Sequence, residues 1–402
     1  MSLLDVKRIR KDFPILNEGV IYLDSAASSL TPEQVILKEM EFYRHYRANI
    51  ERGVHRLSQK ASEEYEHAHE EVARFIGAPG SQHIAMLRNT TEGINLVANS
   101  LDWRKEDKIV TTVIEHHSNF ITWLRVGNKH GTKIDVVRSD PRGIFDMADF
   151  EKAIDDNTKL VAVTHVSNVL GCIVPIKEIC EIAHSHGAKM LVDGAQGVPH
   201  IKTNVKDSGV DFLAFSGHKM LGPTGSGGLY ISEAELSSTE PLCIGGGTIA
   251  DVSIDDYVLA APPMRFEAGT PAIAQVIGLG EACRYLSRLG MENVEAWDLK
   301  LANRLVDGLS GIDGVDVYGP LDPKQRVGLV TFNVEGFNPH DVALTLDTEY
   351  NIAVRSGHHC ALPLMKELFK LNEGNVRAST YLYNSLEEID RLIEAVEKIS
   401  RE

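Results

Sequence analysis

Between residues 83 and 232 short apolar runs alternate with stretches of helical spacing, and this alternation narrows the chain to a mainly parallel sheet built from βαβ units. The predicted strands are HIAML (83–87), KIVTTVIEH (108–116), TKIDVVR (132–138), LVAVTHVSN (160–168), KMLVD (189–193), FLAFS (212–216) and GGLYIS (227–232). Intervening segments such as IKEICEIAHSHGA carry apolar residues at helical intervals and stop at a glycine. In open α/β sheets ligands bind beyond the carboxyl ends of the strands. Here those ends carry His116, Asn168, Asp193 and Ser216, with Lys219 three residues further on.

After residue 240 the texture becomes loop-rich, and a helical run follows from about 272 to 310. Then come the strand-like VGLVTFNVE and NIAVRS and a charged C-terminal helix, SLEEIDRLIEAVEKIS. A chain of 402 residues exceeds one ordinary core. The division expected is a large unit over 21–265 and a smaller α+β unit formed by 1–20 plus 266–402.

A formal net charge of −16 disfavours nucleic acid or an anionic membrane as partner, because both require clustered positive charge. The five cysteines (172, 180, 243, 283 and 360) lack CxxC spacing and suit a reducing compartment. MSLLDVKRIRKDFPIL is interrupted by charge too early for a signal peptide, and no apolar run is long enough to span a bilayer. A cytoplasmic, soluble protein is expected.

Lys219 in SGHKMLGP follows Asp193 in KMLVDGAQ by 26 residues, each beyond an apolar strand. Such a pair suits pyridoxal phosphate (PLP), which takes a lysine on its aldehyde and an acid opposite its pyridine nitrogen. Thr90 and Thr91 precede a helix, where exposed N–H groups and hydroxyls suit a phosphate or simply cap the helix. One imidazole of EHHSN can stack on a flat ring or be an ordinary structural group. Asn168 and Gln196 have two readings each, as donors to cofactor or substrate and as turn residues. Ser216 and His218 flank the lysine with polar groups suited to phosphate.

VRSGHHCALPLM places Cys360 in a loop beside His358, His359 and Arg355, an electropositive setting for a nucleophilic thiol. A metal site is the rival, but no second ligand cluster completes it, so no metal is expected. Arg377 in NVRASTYLYNS suits a carboxylate clamp or a salt bridge.

YLDSAAS, RGVHRLS, NTTEGINLVANS, EHHSN, THVSNVLG, LVDGAQ, FSGHKMLGPTG, RFEAGTP, VRSGHHCALPLM and RASTYLYN together resemble, over about 22–384, the cysteine desulfurases of the SufS type. These are class V aminotransferase-group enzymes of PLP fold type I. The resemblance implies a homodimer that converts L-cysteine to L-alanine and passes sulfur through an enzyme persulfide toward iron–sulfur cluster assembly. The sulfur acceptor it implies is a SufE- or SufU-like relay protein or a SufBCD-like scaffold; the alternative is selenocysteine lyase. By motif, Lys219 bonds the cofactor, Asp193 pairs with the pyridine nitrogen, His116 stacks and Gln196 contacts the 3-oxygen. Thr91, Ser216 and His218 hold the phosphate, with Thr270 contributed across the dimer. Asn168, Arg355 and Arg377 orient the substrate and Cys360 attacks sulfur, while His55 and His359 lie near the site without a role. The chain departs from the pattern at Thr380, at Ser385 and in the length of KELFKLNEGN.

Overall fold

Seven strands, β1 (Ile84–Leu87), β2 (Lys108–Thr112), β3 (Lys133–Val137), β4 (Thr158–Thr164), β5 (Lys189–Asp193), β6 (Phe212–Ser216) and β7 (Gly227–Ile231), form one sheet in the order β1-β7-β6-β5-β4-β2-β3. The pairings are parallel from β3 through β6, and β7 runs antiparallel to both its neighbours. The computed structural model describes residues 4–402; residues 1–3, which open both the N-terminal segment and the smaller unit named above, lie outside the described residues.

Burial follows the period of two expected for a sheet covered on both faces. Val110, Val161, Val163, Met190, Val192, Leu213 and Phe215 enter one core, shared with helices α1 (Arg56–Phe75) and α3 (Ile273–Leu289). Ile109, Leu160, Ala162, Leu191, Phe212 and Ala214 enter the opposite one, shared with helix α2 (Thr90–Ser100). Single-residue alternation therefore locks the register, since a slip of one would exchange the two layers.

Two strands stop earlier than predicted, β2 at Thr112 and β4 at Thr164. The fully buried Glu115 carboxylate explains both ends, accepting from Thr112 Oγ1 at 2.6 Å and from the Thr164 N–H at 3.0 Å. The Glu115 side chain thus takes the ladder donor of Thr164 and ties back to the Thr112 hydroxyl, and the chain turns out of the sheet toward His116.

A second sheet contains β8 (Val315–Tyr318), β9 (Leu329–Val334), β10 (Arg355–Gly357) and β11 (Asn375–Ser379), all antiparallel, in the order β8-β9-β11-β10. Helices α4 (Met291–Ser310), α5 (Pro339–Tyr350) and α6 (Leu386–Ile399) cover it, joining Leu301, Leu305, Leu346, Leu392 and Val396 to Val330, Phe332, Val376 and Ala378. The stretch expected to be loop contains a short hairpin, Ile249–Val252 with Tyr257–Leu259. No helix among the described residues is long and apolar enough to cross a membrane.

The sequence departures have local explanations. Thr380 is buried and its Oγ1 donates to the Gly328 carbonyl at 2.8 Å, so a hydroxyl rather than an apolar group fits. The longer segment folds as a π-helical turn over Leu364–Phe369 that ends on Lys370 at φ 55°. Ser385 caps α6 reciprocally, accepting from the Glu388 N–H while the Glu388 carboxylate accepts from the Ser385 N–H. Ser385→Ala is therefore expected to lower stability by about 1 kcal/mol and Ser385→Thr by less than about 0.5, measured as shifts in the chemical-denaturation midpoint.

Candidate functional site

The carboxyl edge of the large sheet opens into a cavity of about 240 Å³. Twelve of the residues singled out above line it together: Thr90, Thr91, His116, Asn168, Asp193, Gln196, Ser216, His218, Lys219, Arg355, His359 and Arg377.

Asp193 ends β5 and is buried, with Oδ1 accepting from the Ala195 N–H at 2.9 Å and Oδ2 making no hydrogen bond among the described residues. Burial raises its carboxyl, against the Ala195 bond and the Lys219 charge. Lys219 follows β6 on a single helical turn, with part of its surface open to the cavity and no hydrogen bond from Nζ among the described residues. Burial lowers the amine to about 8; Asp193 opposes that shift, and Arg377 and Arg355 reinforce it. The turn itself is pinned because the His218 carbonyl accepts from the Ser29 N–H at 2.8 Å and from the Ser28 and Ser29 hydroxyls at 3.2 Å.

At one end of the cavity lies the start of α2. Asn89 caps it by accepting from the Glu92 N–H, and the Thr90 N–H donates to Ser216 Oγ at 2.9 Å. The Thr90 and Ser216 hydroxyls share a further bond at 2.7 Å, as do those of Thr91 and Ser118. Gly227 permits this junction, since a Cβ there would lie 2.6 Å from the Phe215 carbonyl oxygen and 2.9 Å from Asn89 Cα. Hydroxyls grouped at a helix N-terminus suit an anion.

His116 forms one wall. Its Nδ1 accepts from the Ser118 N–H at 3.1 Å, which leaves the proton on Nε2, and burial foremost holds the imidazole down at about 3, helped by the nearby Lys219 charge. Gln196 donates to the Ala26 carbonyl at 2.7 Å. Asn168 binds protein groups, since its Nδ2 donates to the His359 carbonyl at 2.7 Å and its backbone carbonyl accepts from Arg377 Nη1 at 2.9 Å. It therefore braces the neighbouring loop and arginine.

The opposite wall comes from the small sheet, where Arg355 and Arg377 face each other directly across β10 and β11. Arg377 is only 1% exposed, and its Nη2 meets Asp24 Oδ1 at 3.0 Å. Burial lowers the guanidinium, Asp24 opposes this, and Nε is a buried donor without a partner. His359 is a second such group, with Nε2 against Asn375 Oδ1 at 2.8 Å and Nδ1 unpartnered. Burial, with the Arg377 and Arg355 charges, lowers it to about 3.

Cys360 sits half-buried beside this wall. It and His359 both adopt left-handed backbone, at φ 59° and 49°. Three bonds hold the loop: the His117 N–H donates to the Cys360 carbonyl at 2.7 Å, the Leu362 N–H to His117 Nε2 at 3.0 Å, and Asn168 to His359 as above.

Two residues fall elsewhere. Thr270 is exposed and lines a separate surface cleft with Arg88, Cys243 and Glu267, so this chain does not bring it to the Lys219 cavity. His55 is exposed and caps α1 by accepting from the Ser58 N–H at 3.3 Å. Sequence reasoning missed Asp24, Ala26 and Ala27 in YLDSAAS, Asn89 at the helix start, and Glu115 in EHHSN, all within quoted motifs.

The donor set fits PLP. A buried acid has one oxygen free, a lysine below its ordinary range has no partner, a helix start offers hydroxyls, and a buried arginine and histidine each keep an unused nitrogen.

A family model described as aminotransferase class-V matches residues 21–392. The chain is 48% identical over 394 residues to a probable cysteine desulfurase of Pyrococcus abyssi, covering 97% of this chain and 96% of that one. It is 42% identical over 417 residues to a cysteine desulfurase of Haloferax volcanii, covering 98% and 96%. Its structure resembles the apo cysteine desulfurase of Thermococcus onnurineus at a TM-score of 0.95 and 48% identity, covering 100% and 99% of the two chains. It also resembles the Escherichia coli cysteine desulfurase CsdA in its S-sulfonic acid form, at 0.91 and 34%, covering 99% and 98%.

The depressed histidines carry a pH signature. His116 and His359 stay neutral in the folded chain down to about 3, whereas the unfolded chain protonates them near about 6.5. Their contribution to stability is present above the unfolded value and is lost as pH falls below it. Unfolding free energy should thus decline between about pH 6.5 and 4, while the Cε1 proton resonances of both residues stay fixed from pH 8 to 5 by NMR.

Proposed function

The chain belongs to the class-V aminotransferases and, within them, to the cysteine desulfurases, and on that premise we propose that it converts L-cysteine to L-alanine with sulfur passing to Cys360. The observation that carries this reading is a thiol on a left-handed loop, fastened by its backbone to the wall of a cavity floored by Lys219 and Asp193.

Lys219 would hold PLP through the aldehyde, Asp193 Oδ2 would accept from the ring nitrogen, His116 would lie against the ring and Gln196 would meet the 3-oxygen. Thr91, Ser216 and His218 would hold the phosphate. When bound, PLP supplies an electron sink that lets bonds at the amino acid's Cα and Cβ break. Arg377 and Arg355 receive the substrate carboxylate, which places Cα toward Lys219. Lys219, with its amine near about 8, exists partly neutral at working pH and moves the proton at Cα. The Cys360 thiolate then attacks the substrate sulfur: the S–S bond forms, the substrate C–S bond breaks with its electron pair left on the three-carbon fragment, and alanine leaves after Cβ takes the proton that the Cys360 thiol gave up and Cα regains the one held by Lys219.

We place the enzyme in the SufS group as a cytoplasmic homodimer that supplies iron–sulfur cluster assembly. Thr270 supports the dimer, since it is exposed and outside its own chain's cavity. The half-buried Cys360 would hand its sulfur to a SufE- or SufU-like relay or a SufBCD-like scaffold. The larger unit, 21–265, holds the cofactor and the smaller one, 1–20 plus 266–402, holds the thiol loop.

Cys360→Ala is expected to retain the visible absorbance of bound PLP while sulfide release from cysteine falls more than about 100-fold. Lys219→Ala should lose that absorbance. Mass spectrometry after cysteine treatment should find about 32 Da added on the Cys360 peptide. Desulfuration that survives Cys360→Ala would sink the persulfide route.

A further inference from the structure

Two arginines directly opposite one another in an antiparallel pair repel, and neighbours so placed ordinarily destabilise a sheet. Arg377 is also buried, where an unpaired charge is costly. The one carboxylate paired with either guanidinium among the described residues is Asp24, 3.0 Å from Arg377 Nη2.

Asp24 is held with unusual care for a residue outside regular structure. It bridges in parallel to Ser379, two residues from Arg377 on β11. The Ser25 N–H donates to the Ser379 carbonyl and the Ala26 N–H to Ser379 Oγ, at 3.2 and 2.9 Å. The Ala27 N–H donates back to the Asp24 carbonyl at 3.0 Å. Gln196 then fastens the Ala26 carbonyl to the large sheet's side of the cavity. The Asp24 backbone is therefore fixed against the strand that carries Arg377.

A guanidinium has five N–H donors in one plane. Asn168 takes one from Nη1 and Asp24 one from Nη2, and two anchors on different nitrogens fix both the plane and its rotation. What remains is the unpartnered Nε–H and one further proton on each Nη. Neighbouring N–H groups left over in this way form the parallel fork that a carboxylate accepts.

We infer that Asp24 is a positioning residue for substrate recognition: by accepting from Nη2 it aims the Arg377 fork at the amino-acid carboxylate. This rests on the reading of Arg377 as the carboxylate clamp.

The test uses the PLP-loaded enzyme, with steady-state desulfuration of L-cysteine and spectral titration with L-alanine, which carries the carboxylate but no sulfur. Asp24→Ala should raise KM for cysteine and Kd for alanine about tenfold, with a smaller change in kcat and unchanged PLP content. Asp24→Asn, whose amide oxygen still accepts from Nη2, should recover both constants to within about threefold of the parent. If Asp24→Ala does not fold, Asp24→Glu decides, because it keeps the charge but moves it by one methylene and should raise both constants more than about fivefold. Arg377→Ala separates the two levels. Unchanged KM and alanine affinity there would remove the clamp itself, whereas weakened binding in Arg377→Ala with parent-like constants in Asp24→Ala and Asp24→Glu would overturn the role of Asp24 alone. Equal losses of kcat and PLP content in Asp24→Ala and Asp24→Asn, at constant KM, would also overturn it.

Discussion

Opposite charges buried at the carboxyl ends of neighbouring parallel strands set the terms for the rest of this molecule. Asp193 ends β5, Lys219 follows β6, and the two strands pair in register through Asp193 and Ala214. Burial pushes each group toward its neutral form, the carboxyl upward and the amine down to about 8. A pair held this way responds to every charge placed near it. Arg355 and Arg377, delivered by the small sheet, press the amine further down, so the second sheet helps tune a lysine it does not contain. The two sheets are thus linked electrostatically as well as by packing.

That dependence explains why so many polar groups around the cavity bind protein. Asn168 joins Arg377 to the thiol loop, Gln196 joins the large sheet's edge to Ala26, and the serines of YLDSAASS clamp the carbonyl before Lys219. Each bond crosses between chain segments far apart in sequence. Rigid supports let a buried lysine and arginine hold one pose, which is what electrostatic preorganisation requires. Among the described residues Asp193 Oδ2, Lys219 Nζ, Arg377 Nε and His359 Nδ1 keep no partner, and all four residues line the same cavity.

The large sheet was legible because its strands are apolar runs bounded by turn residues, and buried parallel strands leave that trace even without alternation. All seven fall within a residue or two at their amino ends. Two carboxyl ends were overrun, at Thr112 and Thr164, because the terminator is the side chain of Glu115, and an acid that accepts one ladder N–H and one strand hydroxyl looks like any other acid in sequence. Strand β11 was missed for a related reason: NVRAS places an arginine at its centre, and only the Asp24 and Asn168 contacts make its burial tolerable. Family motifs located the cavity residues, but no motif says that Asn168 is occupied by the loop next to it.

The thiol loop shows how position and freedom are divided. His359 and Cys360 both adopt a backbone region that non-glycine residues rarely enter, at a cost on the order of 1 kcal/mol each. The three bonds that maintain it engage the His359 carbonyl, the Cys360 carbonyl and the Leu362 N–H. None uses the Cys360 side chain, so the sulfur keeps its rotamers while its Cα is fixed against the turn that carries His116 and His117. A thiol held this way can turn toward the cavity or away from it without its backbone moving. A loop held by its side chains would have to break them to turn outward, whereas one held by its carbonyls presents the same sulfur to both directions with a change in χ1.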